Sequence, residues 1–69
     1  MTDTALKRIG SKLQAARKIK GMTQQEVADR AGISRTYYSQ IENGDRDPAT
    51  TVITTISKVL EVNIADILK

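Results

Sequence analysis

Cysteine, histidine, phenylalanine and tryptophan are all missing from this 69-residue chain, and only one proline and two tyrosines are present. Without cysteine there are no disulfides and no thiol nucleophile, which suits a reducing compartment. Without histidine as well, zinc-centred chemistry and an imidazole base are excluded. Asp45 and Asp47 come closest to a carboxylate pair, and they read as turn and cap residues rather than an acid/base couple. There is no glycine-rich phosphate loop. The expectation is therefore no enzyme, no catalytic residue, no metal and no cofactor. No apolar run approaches the roughly eighteen residues of a membrane span, and the N-terminus lacks the apolar segment of a signal peptide. A cytoplasmic protein without a membrane partner is expected. The core must be aliphatic, and residues 1–69 suffice for one small domain, without internal repeat, linker or low-complexity tract.

What is present is concentrated in residues 23–44, where two short helices each carry their own start and stop signals. Thr23 followed by Glu26 forms a capping box, with Met22 and Val27 as the accompanying hydrophobic staple. Val27, Ala28 and Ala31 make a short apolar stripe, and Gly32 can leave the helix with positive φ. Ser34 caps the second helix, between Ile33 at N′ and Tyr38 at N4, and Asn43-Gly44 ends it. Helices this short, joined by one tight turn, cannot lie antiparallel. They cross steeply and leave the outer face of the second free to enter a DNA groove.

Within residues 34–43, Tyr38 and Ile41 define the buried direction, about 60° apart at roughly 100° per residue. Thr36, Ser39, Gln40 and Asn43 point away from it, and Arg35, Tyr37 and Glu42 lie on the flanks. The outward set is small or amide-bearing and contains no acid to repel phosphate. Such side chains suit base edges: arginine with guanine, glutamine with adenine, threonine with a thymine methyl. Taken alone, the same face reads better as a solvated polar surface; the turn geometry reverses that preference.

These residues carry a resemblance to the lambdoid repressor and Cro type of helix-turn-helix regulators, which includes xenobiotic-response-element-like regulators and restriction–modification controller proteins. The likeness runs from about Ile9 to Leu68. It rests on Ile9-Gly10, Leu13, Arg17, Gly21-Met22-Thr23-Gln24, Glu26-Val27-Ala28, Ala31-Gly32-Ile33-Ser34, Ile41-Glu42-Asn43-Gly44, Pro48 and Leu60-Glu61-Val62. It implies an all-α, five-helix lambda-repressor-like domain whose third helix occupies the major groove. It also implies a partly buried ion pair between Arg17 and Glu42, structural in role, and a phosphate contact for Gln24. Glu61 departs from the pattern, standing where family members often place glycine.

The remaining segments form a platform. Residues 1–20 hold six basic residues against one acidic (+5), and the rest hold five basic against seven acidic (−2). The basic end fits a helix crossing phosphates, although a solvated helix face accounts for the same lysines. A first helix is expected from about Thr4 to Lys20, with Leu6, Ile9, Leu13 and Ala16 on one face and Gly21 ending it. Residues 50–56 are all β-branched, so local propensity says strand. Val52, Ile53, Ile56, Val59 and Leu60 nevertheless fall on a helical stripe. A helix is expected from Pro48 or Ala49 to Leu60, with Asp47 as cap and Pro48 at N1. Asn63 caps a last short helix, with Asp66 at N3. Its Ile64, Ile67 and Leu68 exceed what one terminal turn buries, and in the resembling family this region commonly forms a two-fold contact. A homodimer is expected, with two third helices about 34 Å apart on a palindromic site; packing against the first helix is the alternative.

For roles, Arg35, Thr36, Ser39 and Gln40 are expected nearest the bases, with Arg35 on a guanine. Tyr37 is expected on the flank, and Thr23, Gln24, Asn43 and Arg46 at phosphates. Thr23 and Asn43 also have complete capping explanations, and Arg46 a solvated one. The function expected is that of a sequence-specific, double-stranded-DNA-binding regulator, a dimeric repressor or autoregulatory controller. No small-molecule effector domain is evident, so regulation by its own concentration is the simplest. The competing reading is an antitoxin-like or bridging module that binds a protein partner and DNA only secondarily.

Overall fold

The computed structural model describes the chain from Thr2 to Lys69, with side chains from Thr4 onward. Five helices follow one another: α1 (Thr2–Lys20), α2 (Gln24–Ala31), α3 (Arg35–Asn43), α4 (Thr50–Leu60) and α5 (Ile64–Leu68). There is no strand among the described residues. The expected all-α, five-helix architecture is the observed one.

The first four helices end in the same way. In each, a left-handed residue turns the chain and the N–H beyond it reaches back to a carbonyl in the last helical turn. The bonds run from Met22 to Arg17, Ile33 to Ala28, Asp45 to Gln40 and Val62 to Ser57, at 2.9–3.1 Å. Gly32 (φ 73°) provides the turn between α2 and α3, and Gly44 (φ 78°) ends α3. At the end of α4 the same position is held by Glu61 (φ 59°), the one non-glycine residue with positive φ among those described. Its carboxylate meets Lys20 Nζ at 2.5 Å, which ties the turn to the end of α1.

The core consists of Leu13 from α1, Val27 and Ala28 from α2, Tyr38 and Ile41 from α3, Ile53, Ile56 and Leu60 from α4, and Ile67 from α5. Each of the large aliphatic side chains contributes about 1.5–3 kcal/mol by leaving water, so this single cluster is what keeps the small domain folded. α1 lies across α3, and α2 packs on both α3 and α4. The α1–α3 approach depends on Gly10, because a Cβ there would come within 2.3 Å of the Glu42 carbonyl oxygen. No side chain fits between those two helices at that level.

Two expectations are corrected here. α4 begins at Thr50, one to two residues later than expected, with Ala49 at the N-cap and no side-chain cap bond. Asp47 is therefore not the cap and Pro48 is not N1. Pro48 is buried at N′, five residues before the buried Ile53 at N4, so its ring takes the staple position rather than the first helical turn. Burial also overrides the β-branched propensity of α4: Ile53, Ile56 and Leu60 are all enclosed. Half-buried Thr54 and exposed Thr55 turn their hydroxyls back onto the helix, Thr54 to the Thr50 carbonyl (2.8 Å) and Thr55 to that of Thr51 (2.9 Å).

The second correction concerns the terminal helix. Ile67 belongs to the monomer core, packed beneath α1 and α4, and Ile64 is half-buried against the same cluster; Leu68 remains exposed. The basic residues of α1 turn toward α5 as well. Arg8 donates to the Lys69 carbonyl (3.2 Å) and Lys12 to that of Asp66 (3.0 Å), where the end of a helix offers unpaired acceptors. Part of the N-terminal positive charge is thus used within the molecule.

Candidate nucleic-acid interface

Every base-side candidate on α3 is accessible to solvent. Arg35, Thr36 and Asn43 are exposed, and Tyr37, Ser39 and Gln40 are half-buried along the same outer face. The helix is oriented by Tyr38 and Ile41, both in the core, and by the Ser34 cap, whose Oγ accepts from the Tyr37 N–H at 3.0 Å. The turn before it is held by the Thr23 capping box. Thr23 Oγ1 accepts from the Glu26 N–H at 3.1 Å, and the Thr23 N–H donates to Glu26 Oε1 at 2.8 Å. The Thr23 backbone N–H, and then the Thr23 side chain, hold Glu26's carboxyl below its ordinary pKa.

The single acid on α3 does not face outward. The Glu42 side chain is fully enclosed and accepts from Arg17 Nε at 2.7 Å and Nη2 at 3.3 Å, while Arg17 Nη1 donates to the Met22 carbonyl at 2.8 Å. One guanidinium thus joins α1, the start of the helix-turn-helix and the end of α3. Burial pushes the Glu42 carboxyl up, but the Arg17, Tyr38 and Gln24 side chains outweigh it and the net pKa lies below the ordinary value. The bond to Glu42 raises Arg17 correspondingly. The Tyr38 hydroxyl is buried without a hydrogen-bonded partner, and burial, then the nearby Glu42 carboxylate, drives its pKa well upward.

Two connections were not legible from spacing. Gln24, in the first turn of α2, donates from Nε2 to Glu42 Oε1 (3.0 Å) and accepts at Oε1 from Arg35 Nη1 (3.4 Å). It links the exposed arginine to the buried pair instead of standing free at a helix terminus. Arg46, in the loop between α3 and α4, donates from Nε to Gln40 Oε1 at 3.0 Å. Its guanidinium lies 5.6 Å from the centre of the Tyr37 ring, within cation–π range. Arg46 and Gln40 are six residues apart, across a helix end, where no periodicity rule applies. Among the described residues no group of acidic or metal-ligating side chains could hold a metal ion, and no helix is long and apolar enough to cross a membrane.

Two short helices joined by one tight glycine turn, with an accessible outer face on the second, have the geometry of a DNA-reading motif. Residues 13–67 match the family model described as Helix-turn-helix. The chain belongs to the helix-turn-helix family. Among relatives, this helix-turn-helix chain is 40% identical over 57 residues to the uncharacterised HTH-type transcriptional regulator YqaE of Bacillus subtilis, covering 83% of the chain and 49% of YqaE. It therefore spans about half the length of that relative. Among solved structures, the restriction–modification controller protein C.AhdI of Aeromonas hydrophila superposes with a TM-score of 0.87 at 26% identity, over 90% of this chain and 94% of that one. SinR, a master regulator for biofilm formation solved in complex with DNA, superposes with a TM-score of 0.82 at 34% identity, over 88% and 98%. The five-helix arrangement is thus that of helix-turn-helix transcriptional regulators.

Proposed function

We propose that the chain is a sequence-specific regulator that reads double-stranded DNA through the major groove with α3, as a dimer on a palindromic site. One observation carries this reading: α3 turns its only acid inward to Arg17 and keeps Arg35, Thr36, Ser39 and Gln40 on an accessible outer face. The first turn of α3 has no acidic residue and carries Arg35 instead. A cation there opposes the helix dipole, a disadvantage that an anionic ligand removes. Likeness to SinR supports the same reading. Arg35 is assigned to a guanine, and Thr36, Ser39 and Gln40 to neighbouring base edges. Thr23, Gln24, Tyr37, Asn43 and Arg46 flank the backbone, and Arg17 and Glu42 hold the unit rigid. Such a protein works in the cytoplasm, without a cofactor.

Dimerisation is assigned to the α5 edge, where Leu68 and the outer part of Ile64 are uncovered while Ile67 serves the core. A second reading, binding of a protein partner, is favoured by an open apolar cleft of about 450 Å³ between α1 and the α4–α5 turn, bordered by Ala15, Ala16, Ile19, Leu60 and Val62. Ile19 is 86% exposed there.

Selection of bound sites from a random duplex pool tests the primary reading. Enrichment of a two-fold symmetric site with half-sites one turn apart is expected. Arg35→Ala should then weaken binding by about 1–3 kcal/mol and relax one base position. Binding that is indifferent to DNA and to salt would instead favour the partner-binding module.

A further inference from the structure

The positive charge of α1 is divided between two sides of the helix. Arg8 and Lys12 turn to α5, where they bond the Lys69 and Asp66 carbonyls. Arg17 is taken by Glu42 and Lys20 by Glu61. Lys7 is exposed and makes no ion pair among the described residues. It stands about 100° around the helix from Arg8, so the two side chains point apart. Its place is fixed by Gly44, the left-handed residue that ends α3. A Cβ at Gly44 would come within 2.7 Å of Lys7 Cγ and 3.0 Å of its Cα. The α1 backbone and the root of the lysine stem therefore rest on the end of α3. In the chain Gly44 lies between Asn43 and Arg46, both exposed and both assigned above to the DNA backbone. Asp45 and Asp47, in the same loop, make no ion pair with Lys7. An ammonium placed there without an internal partner is a point charge, suited to a phosphate oxygen rather than to the planar edge of a base.

We propose that α1 carries a DNA-contacting residue outside the helix-turn-helix: Lys7, seated on the end of α3, joins Asn43 and Arg46 in one phosphate-binding edge. The proposal rests on α3 lying in the major groove. It makes the first helix part of the footprint as well as a support for the second and third.

The experiment uses the full chain and the duplex site enriched from a random pool. Affinity is measured from about 50 to 200 mM salt for the unaltered chain, Lys7→Met, Lys7→Arg and Arg8→Met. Lys7→Met keeps the stem on Gly44 and removes the charge, whereas Arg8→Met removes the neighbouring charge on the α5 side. Lys7→Met should reduce the logarithmic salt slope by about 0.9 for each protomer bound and leave the base preferences unchanged. Lys7→Arg should keep the full slope, and Arg8→Met should barely alter it. If Arg8→Met lowers the slope as far as Lys7→Met does, the effect is one of general charge and the proposal falls. An unchanged slope in Lys7→Met overturns it while leaving the α3 reading in place. A melting midpoint lowered without DNA would then assign the ammonium to the end of α3 itself. If the unaltered chain enriches no site, the reading of α3 falls and this proposal with it.

Discussion

The α2–α3 pair and the α4–α5 pair are built to the same plan, a short helix, a left-handed turn and a second short helix, yet they are secured differently. In α2–α3 every local signal agrees: a complete capping box at Thr23, a serine cap at Ser34, and glycine at both left-handed positions. In α4–α5 the signals conflict. α4 has no capping side chain at Ala49, opens with β-branched residues, and turns on Glu61. The first pair holds its shape through bonds spanning three or four residues. The second holds through burial of Ile53, Ile56, Leu60 and Ile67 and through the Lys20–Glu61 contact with α1. The element that presents side chains outward is locally self-sufficient, and the element behind it borrows its order from the core.

The largest test of this contrast is Arg17→Ala, which strands the enclosed Glu42 carboxylate. Denaturant unfolding should show a loss of about 3–5 kcal/mol, because the ion pair is the long-range tie on which even the self-sufficient pair depends. The same residues set an acid limb. Glu42's pKa is lower folded than unfolded, so the unfolded state binds more protons in this window. Its contribution is complete above its ordinary value of about 4.5 and disappears as pH falls through the lowered folded value. Urea midpoints collected from pH 7 to pH 3 should fall in that range, and the fall should be shallower in Arg17→Ala.

Caps offer a smaller and more pointed test. Thr23→Ala should destabilise the domain by about 1 kcal/mol, whereas Ala49→Asp should stabilise it by a similar amount, since only the second helix start lacks a side-chain acceptor. Equal and negligible effects at both positions would erase the distinction between the two pairs. The smallest expected change is at Glu61. Replacement by glycine relieves the left-handed position but removes the exposed contact with Lys20, and the melting midpoint should rise by only about a few degrees.

The difference between the two pairs also explains what could be read from the amino acids alone. The α2–α3 unit was legible to the residue because caps and turns act over three or four positions. α4 was legible as a helix through its stripe, but its start was misplaced: Asp47-Pro48 carries the pattern of a cap, and only packing reveals that the proline ring is buried at N′. The Gln24–Arg35 and Gln40–Arg46 bonds join side chains whose proximity depends on how helices cross and where a loop returns. Spacing carries no trace of either. Ile67 could not be assigned to core or edge by pattern because a five-residue helix has too few turns to define a face. Gly10 stood out only by resemblance, since the carbonyls it accommodates lie more than thirty positions away.

The main-chain contact at Gly10 has a wider consequence. α3 is seated through its backbone and three inward side chains, Tyr38, Ile41 and Glu42, so the groups on its far side bear almost no weight of the fold. They are interchangeable. On the proposed reading, a designer, or natural variation, can rewrite Thr36, Ser39 and Gln40 to give the domain a new address while its foundation stays untouched.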